Sequence, residues 1–317
     1  MNYWSQLVFV SSITMPVFFL VYIGYWLNKK NKLSAGFTES ASYIVFNIAL
    51  PVLMFSAIVK TDINEMTNPS LVVFALVAAF LSFLLLWWLG KYFIRDRASL
   101  GVFVQGSFRS NLGILGLAFC SATFSESGLA VGAVLLAVIT PIFNILSIYA
   151  LTHAASDESE MDWLLLLKNV ITNPLIVAIL VAMPLAYWHV SLPSMVMQGI
   201  DYIAAMTLPL ALICIGASLS LTALRHTQGL SWLAVAIKLL ILPLSIGSAA
   251  YAFGFRGVEL GCLVLMFASP TAAASYVMVR SIGGNHQLAA NIIALTTLVS
   301  LFTVSIAIYL LKVFALI

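Results

Sequence analysis

Apolar residues in this chain come in unbroken runs separated by short polar connections, not in the alternating or three-and-four spacing of half-exposed elements. A bilayer-spanning helix needs about 17–25 such residues. Ten runs qualify, at about residues 7–27, 40–60, 70–94, 100–124, 128–152, 172–189, 195–220, 231–253, 257–280 and 288–312. The connection from His153 to Asp162 stands apart, because Asp157, Glu158, Glu160 and Asp162 mark a solvated loop. An interfacial stretch at Trp163–Leu167 is expected after it. The pairs Trp87-Trp88 and Tyr187-Trp188 read as aromatic belts at the membrane surface.

The fourth run is interrupted. Gln105-Gly106-Ser107-Phe108-Arg109-Ser110-Asn111-Leu112-Gly113-Ile114-Leu115-Gly116 puts an arginine, an asparagine, two serines and three glycines near mid-membrane. Irregular polar backbone at that depth is tolerated only where protein buries it or a cavity is lined by it. A broken helix forming half of a substrate site is the expectation. Sliding the chain along itself finds the other half. Leu50-Pro51 meets Leu208-Pro209 at an offset of 158, and Leu100-Gly101 meets Leu260-Gly261 at 160. The same shift carries Asn111 to Ser269-Pro270, inside the ninth run. Serine followed by proline is a helix-start signature, with Ser269 as N-cap and Pro270 in the first helical position. By analogy Ser110 or Asn111 caps the restart in the fourth run, and Gly113 and Gly116 permit close approach. Five runs per half is odd, so the copies enter from opposite sides. The pattern predicts an all-α membrane protein of ten transmembrane helices. Two inverted five-helix repeats, residues 1–156 and 157–317, have broken helices four and nine crossing at their breaks.

Composition agrees: 62% of the 317 residues are hydrophobic and 8% charged, with mean hydropathy +1.09, against about 25% charged in a soluble domain. A net charge of +3, carried in short loops, gives no support for nucleic-acid binding. Cys120, Cys214 and Cys262 lie in apolar segments without metal spacing and read as inert thiols. No basic region precedes the first run, which reads as an uncleaved helix. With the N-terminus outside, the odd loops hold Lys29, Lys30, Lys32, Lys91, Arg95, Arg97, Lys168, Arg225 and Arg280. The even loops and C-terminus hold Lys60, Arg256 and Lys312. That bias places both termini on the non-cytoplasmic side.

Arg109 has two readings: a brace for carbonyls freed by the break, or an attractor for an anionic substrate. The half-helix N-termini favour the anion, since each offers unpaired N–H groups and a partial positive charge. Ser110, Asn111, Ser269 and Thr271 add neutral groups. Pro51 and Pro209 bend helices two and seven at matched positions, and Asn47, four residues before Pro51, is a candidate lining residue. Lys238 either holds the half-helices through their C-terminal carbonyls or neutralises substrate. Asp201 and Glu259 are the acids that could titrate near the membrane, unless both snorkel to its surface. No motif for a metal, a cofactor or an enzymatic nucleophile is present. Ser110 or Ser269 with Lys238 is the one conceivable catalytic set, and its spacing does not support it.

Asn47-x-x-Leu50-Pro51, Asn111 followed by Gly116, Asn173-Pro174 and Ser269-Pro270 resemble the auxin efflux carrier family, and in particular its bacterial permeases for malonate and related organic acids. The likeness runs the length of the chain. It implies a scaffold from helices one, two, six and seven and a mobile transport domain from helices three to five and eight to ten. It also implies a homodimer, elevator-type movement, and residence in the bacterial inner membrane. The plant carriers of the family resemble this chain at Asn111 and Lys238 but have Leu-Pro where it has Arg109-Ser110, which favours a dicarboxylate here. A sodium symporter of the bile-acid-transporter type shares the crossed-helix architecture, but neither break offers an acid for sodium. A sensor that does not transport is the remaining alternative.

Overall fold

The computed structural model describes residues 3–60, 68–155, 172, 174–219, 229–282 and 284–317, and every regular element among them is helical. Helix α1 spans Tyr3–Lys29. The second run becomes α2 (Ala35–Ile44), a five-residue π-turn (Val45–Ala49) and α3 (Leu50–Val59). It starts earlier than its apolar residues suggest, because Ser34 accepts a hydrogen bond from the Phe37 N–H and caps the helix there. Pro51 explains the π-turn. Its ring displaces the carbonyl four residues back, and the ladder accommodates it by widening one turn, the Leu50 N–H reaching Val45 O.

Then follow α4 (Pro69–Phe93), capped by Asn68, and α5 (Arg97–Phe108), capped by Asp96. Beyond the first break, a π-turn (Leu112–Gly116) leads into α6 (Leu117–Ala155). This long helix folds back at Ser125, whose φ of 56° and ψ of −132° separate two limbs. The elbow closes tightly: a Cβ at Gly128 would lie 2.2 Å from the Cys120 carbonyl oxygen. Next come α7 (Pro174–Tyr187) and α8 (Ser194–Ser218). A second proline-linked π-turn, Ile237–Ile241 before Pro243, joins α9 (Gly229–Ala236) to α10 (Leu242–Ala252). Helix α11 (Gly257–Ala268), the second break, α12 (Ala274–Ile282) and α13 (His286–Val313) complete the order.

Seven of the described helices are long and apolar enough to cross a membrane, against ten expected spans. The difference has local causes. Runs four and nine are broken, the two limbs of α6 count as one helix, and α7 is short. The acidic connection, Trp163–Leu167 and Asn173 lie outside the described residues.

Two packing features position the site. Helices α1 and α8 approach backbone to backbone: a Cβ at Gly216 would fall 1.9 Å from Val21 O, and one at Gly24 2.1 Å from Ile213 O. The Thr207 hydroxyl donates to Ala49 O at 3.0 Å, tying α8 to the π-turn beside Pro51. Elsewhere a chain of edge-on rings joins Phe83, Phe108, Phe143 and Phe267 at centroid separations of 5.5, 5.3 and 6.3 Å. It fixes the last residue of α5 and the penultimate residue of α11 to α6. Trp87 belongs to this cluster and is buried, so only Trp88 of that pair faces outward with Tyr187 and Trp188.

Candidate functional site

Both breaks leave helix ends unsatisfied, and the chain resolves this by pairing them. Ser110 and Thr271 form an antiparallel bridge. The Asn111 N–H donates to Pro270 O at 2.7 Å, and the Ala272 N–H to Arg109 O at 3.3 Å. Freed carbonyls find side chains. Thr271 Oγ1 donates to Gly106 O at 2.6 Å, and Ser269 Oγ to Met266 O at 2.7 Å. The Thr271 N–H, which would have continued α11, goes to Thr296 Oγ1 at 3.2 Å. Valine at 271 would keep the shape and orphan Gly106 O, a cost of roughly 1–3 kcal/mol. Thr271→Val should therefore lower the unfolding midpoint measurably in a thermal-shift assay.

The expected helix start at Ser269-Pro270 is corrected here. Ser269 ends α11, and α12 begins at Ala274. Proline's missing N–H serves the extended bridge instead of a first helical turn, and the serine hydroxyl turns back on its own helix. Asn111 does precede the restart, but through its carbonyl, which accepts from Gly116 N at 2.9 Å; its side chain makes no capping bond. Gly116 faces α11, where a Cβ would come 2.6 Å from Met266 Sδ. A Cβ at Gly113 would meet Leu50 and Leu136 at an ordinary 3.7 Å.

Arg109 and Lys238 are the buried charged side chains among the described residues; no buried carboxylate is found there. They serve opposite poles of the junction. Lys238 is fully buried on the π-turn Ile237–Ile241 and donates to Ser110 Oγ at 2.5 Å and Phe267 O at 2.7 Å. It thus sits at the C-terminal ends of α5 and α11, each carrying roughly half a negative charge. Its ammonium is balanced by them. Arg109 turns the other way: Nη2 donates to Asn144 Oδ1 at 2.7 Å, and Nη1 rests on Met278 Sδ. Both partners are neutral, while two helix N-termini, at Leu112 and Ala274, add positive potential nearby. Arg109 and Asn111 each retain 8% exposure, whereas Lys238 and Ser269 retain none.

Other candidates lie apart. Asn47 is exposed and donates to Tyr43 O at 3.0 Å, so the structure does not bring it to the breaks. Asp201 pairs with Lys60 at 2.6 Å and accepts from Ser56 at 3.0 Å. Glu259, in the first turn of α11, accepts from Asn68 at 3.3 Å. Pro209 lines a cavity of about 640 Å³, with Asp201, Lys60 and Glu126 among its walls. Ala118, just beyond Gly116, also lines that cavity. Asn144, Met278 and Thr296 were not singled out from sequence. Asn144 alone carried a signal, as a lone amide within an apolar run.

A broken, positively poised junction inside an apolar helical protein suits a carrier. The sequence profile of the family described as membrane transport protein matches residues 9–308. The chain belongs to that family, the one of the auxin efflux carriers. Among the relatives of this membrane transporter is an "Uncharacterized transporter" of Methanothermobacter thermautotrophicus, 24% identical over 90% of this chain and 93% of its own. Another is a "Putative malonate transporter" of Rhizobium meliloti, 24% identical over 96% of both chains.

Proposed function

We propose that this transporter carries small organic anions, dicarboxylates above all, and that Arg109 and Asn111 contact them. The observation that carries the reading is the buried Arg109 guanidinium, whose side-chain partners are an amide oxygen and a thioether. Guanidinium offers five N–H donors in a fork that matches a carboxylate. Together with two helix N-termini the pole is worth roughly two positive charges, which a dianion compensates and a monoanion half compensates. The malonate named for the Rhizobium relative has that charge.

The movement that goes with this reading is an elevator. Helices α1, α2–α3, α7 and α8 form the static scaffold, and the remaining helices carry the junction. An inverted repeat goes with this reading, and one contact supports it: Ala49 and Thr207, which hydrogen-bond, are separated by the same 158 positions as the Leu-Pro pairs. Contact between equivalent positions is what a twofold axis between halves would produce. A homodimer joined through the scaffold, in the bacterial inner membrane with both termini non-cytoplasmic, completes the proposal. The protein acts as a carrier, not an enzyme.

Binding of malonate and acetate to wild type and Arg109→Gln tests the reading. Loss of two charge-assisted bonds, roughly 1.5–3 kcal/mol each, should weaken malonate by at least about 100-fold. Acetate, a monoanion that compensates about half of the pole, should lose less than malonate. Equal losses would make Arg109 a structural brace, and no loss would remove it from the site.

A further inference from the structure

A second cavity, of about 630 Å³, lies on the outer face of the helices that carry the junction, between α10, α11 and α13. Its walls are mainly apolar, with Ser248 and Thr303 as the small polar exceptions, and several are strongly exposed: Leu240 (48%), Leu244 (60%), Ile306 (55%) and Phe314 (67%). In water such a surface would be a liability. In a bilayer it opens into hydrocarbon, where an apolar groove of this size holds neither water, which needs polar partners, nor vacuum, which forfeits dispersion contacts.

Its inner end is the π-turn of Lys238. Leu239, Leu240 and Pro243 line it, as do Leu260 and Val264 on the neighbouring face of α11. Towards the far end stand Tyr251, Phe314 and Leu316. There the chain places a cation. Arg256 stacks on the Tyr251 ring, 3.6 Å from guanidinium carbon to centroid, and Nη1 donates to Tyr251 O and Phe255 O at 2.7 Å each. The backbone beside it is pinned, Gly257 N donating to Leu316 O at 2.9 Å. The guanidinium is exposed and its position fixed, with N–H groups beyond those two bonds. Tyr251 thus joins the apolar groove to a fixed cation at its mouth.

We propose that this groove is a binding site for an anionic phospholipid of the surrounding bilayer. One acyl chain lies along α10 and α13, and the phosphate pairs with Arg256. The length of the site fits that division, since it runs from the mid-membrane turn at Leu239 to the helix ends at Tyr251 and Phe314. The acyl chain fills against the outward side of the π-turn, where Leu240 is exposed. The occupied groove then supports the π-turn from outside while Lys238 grips the junction from within. Lipid occupancy and junction stability are thereby linked, whatever the cargo.

The test uses the full-length purified protein, with phosphatidylglycerol and phosphatidylcholine of matched chains as probes. Native mass spectrometry reads retained lipid, and thermal unfolding reads the consequence. Wild type should retain phosphatidylglycerol at least tenfold better than phosphatidylcholine and unfold at higher temperature with it. Arg256→Gln should erase that preference, lowering phosphatidylglycerol retention to the level of phosphatidylcholine. Ser248→Trp, whose exposed parent lines the groove, should cut retention of both at least fivefold. Equal retention of the two lipids by wild type would leave only a bulk lipid contact and overturn the headgroup site. Unchanged retention in Ser248→Trp would place the bound lipid elsewhere. A cysteine at Ser248 that cross-links to a second copy in vesicles would make the groove a protein interface, which also overturns the proposal. Should Ser248→Trp be poorly folded, Leu244→Gln interrupts the same wall with a smaller side chain and carries the same expectation.

Discussion

Lys238→Met should destabilise the protein by about 3–6 kcal/mol, the sum of two hydrogen bonds from a charged donor at roughly 1.5–3 kcal/mol each. The methionine fills the space but cannot reach out to Ser110 Oγ or Phe267 O. Two helix C-termini would then face each other without a cation between them. Arg109→Met is the informative comparison, because that guanidinium is buried among neutral partners. Removing it relieves an uncompensated charge, so the ligand-free protein should hold or gain stability while losing malonate binding. Unfolding midpoints and malonate affinities for both variants would separate the roles. If Lys238→Met kept its midpoint and lost only affinity, the lysine would belong to the cargo site and the division of labour between the two cations would be wrong.

Gly216→Leu should cost more than about 4 kcal/mol, enough to leave little folded protein in detergent. Val21 O would sit 1.9 Å from the new Cβ, and the obstacle is backbone, which cannot rotate aside. Separating α1 from α8 would also break the bond from Asn28 Nδ2 to Ala217 O, 2.7 Å long. Gly199→Leu on the same helix serves as the control, since a Cβ there meets nothing within 4 Å. Size-exclusion profiles and thermal midpoints of the two variants give the measurement. Similar behaviour of both would mean that α1 and α8 are not in register contact.

Much of this architecture was legible because membrane helices announce themselves by length and apolarity, and an interruption such as Arg109-Ser110-Asn111 has few explanations in hydrocarbon. The place of Lys238 was legible as one of two options for the same reason. Ser269-Pro270 was misread because local helix-start chemistry was applied to a segment whose partners lie far away in sequence, Asn111 for Pro270 and Ser110 for the adjoining Thr271. Its hydrogen bonds are non-local, and a dipeptide pattern carries no trace of them. Asn47 was drawn toward the site by its spacing from Pro51, yet spacing along a helix does not say which face looks inward, and a π-turn rotates the faces further. Asn144 and Met278 are brought to Arg109 by the fold-back at Ser125 and by the second break; both interruptions could be read from the sequence, but not which side chains they bring together across the fold. Trp87 shows the same limit, since neighbours in a Trp-Trp pair point to different sides of a helix.

The bridge between the breaks is built from main-chain groups: Asn111 N to Pro270 O and Ala272 N to Arg109 O. None of those bonds depends on which side chain occupies position 109. On the proposed reading of Arg109, the junction can therefore keep its shape while the residue that meets the cargo is exchanged, much as a fitting accepts different tools. A change of substrate charge would then need only a substitution at 109 with an accommodating change at Asn144 or Met278, leaving the moving parts untouched.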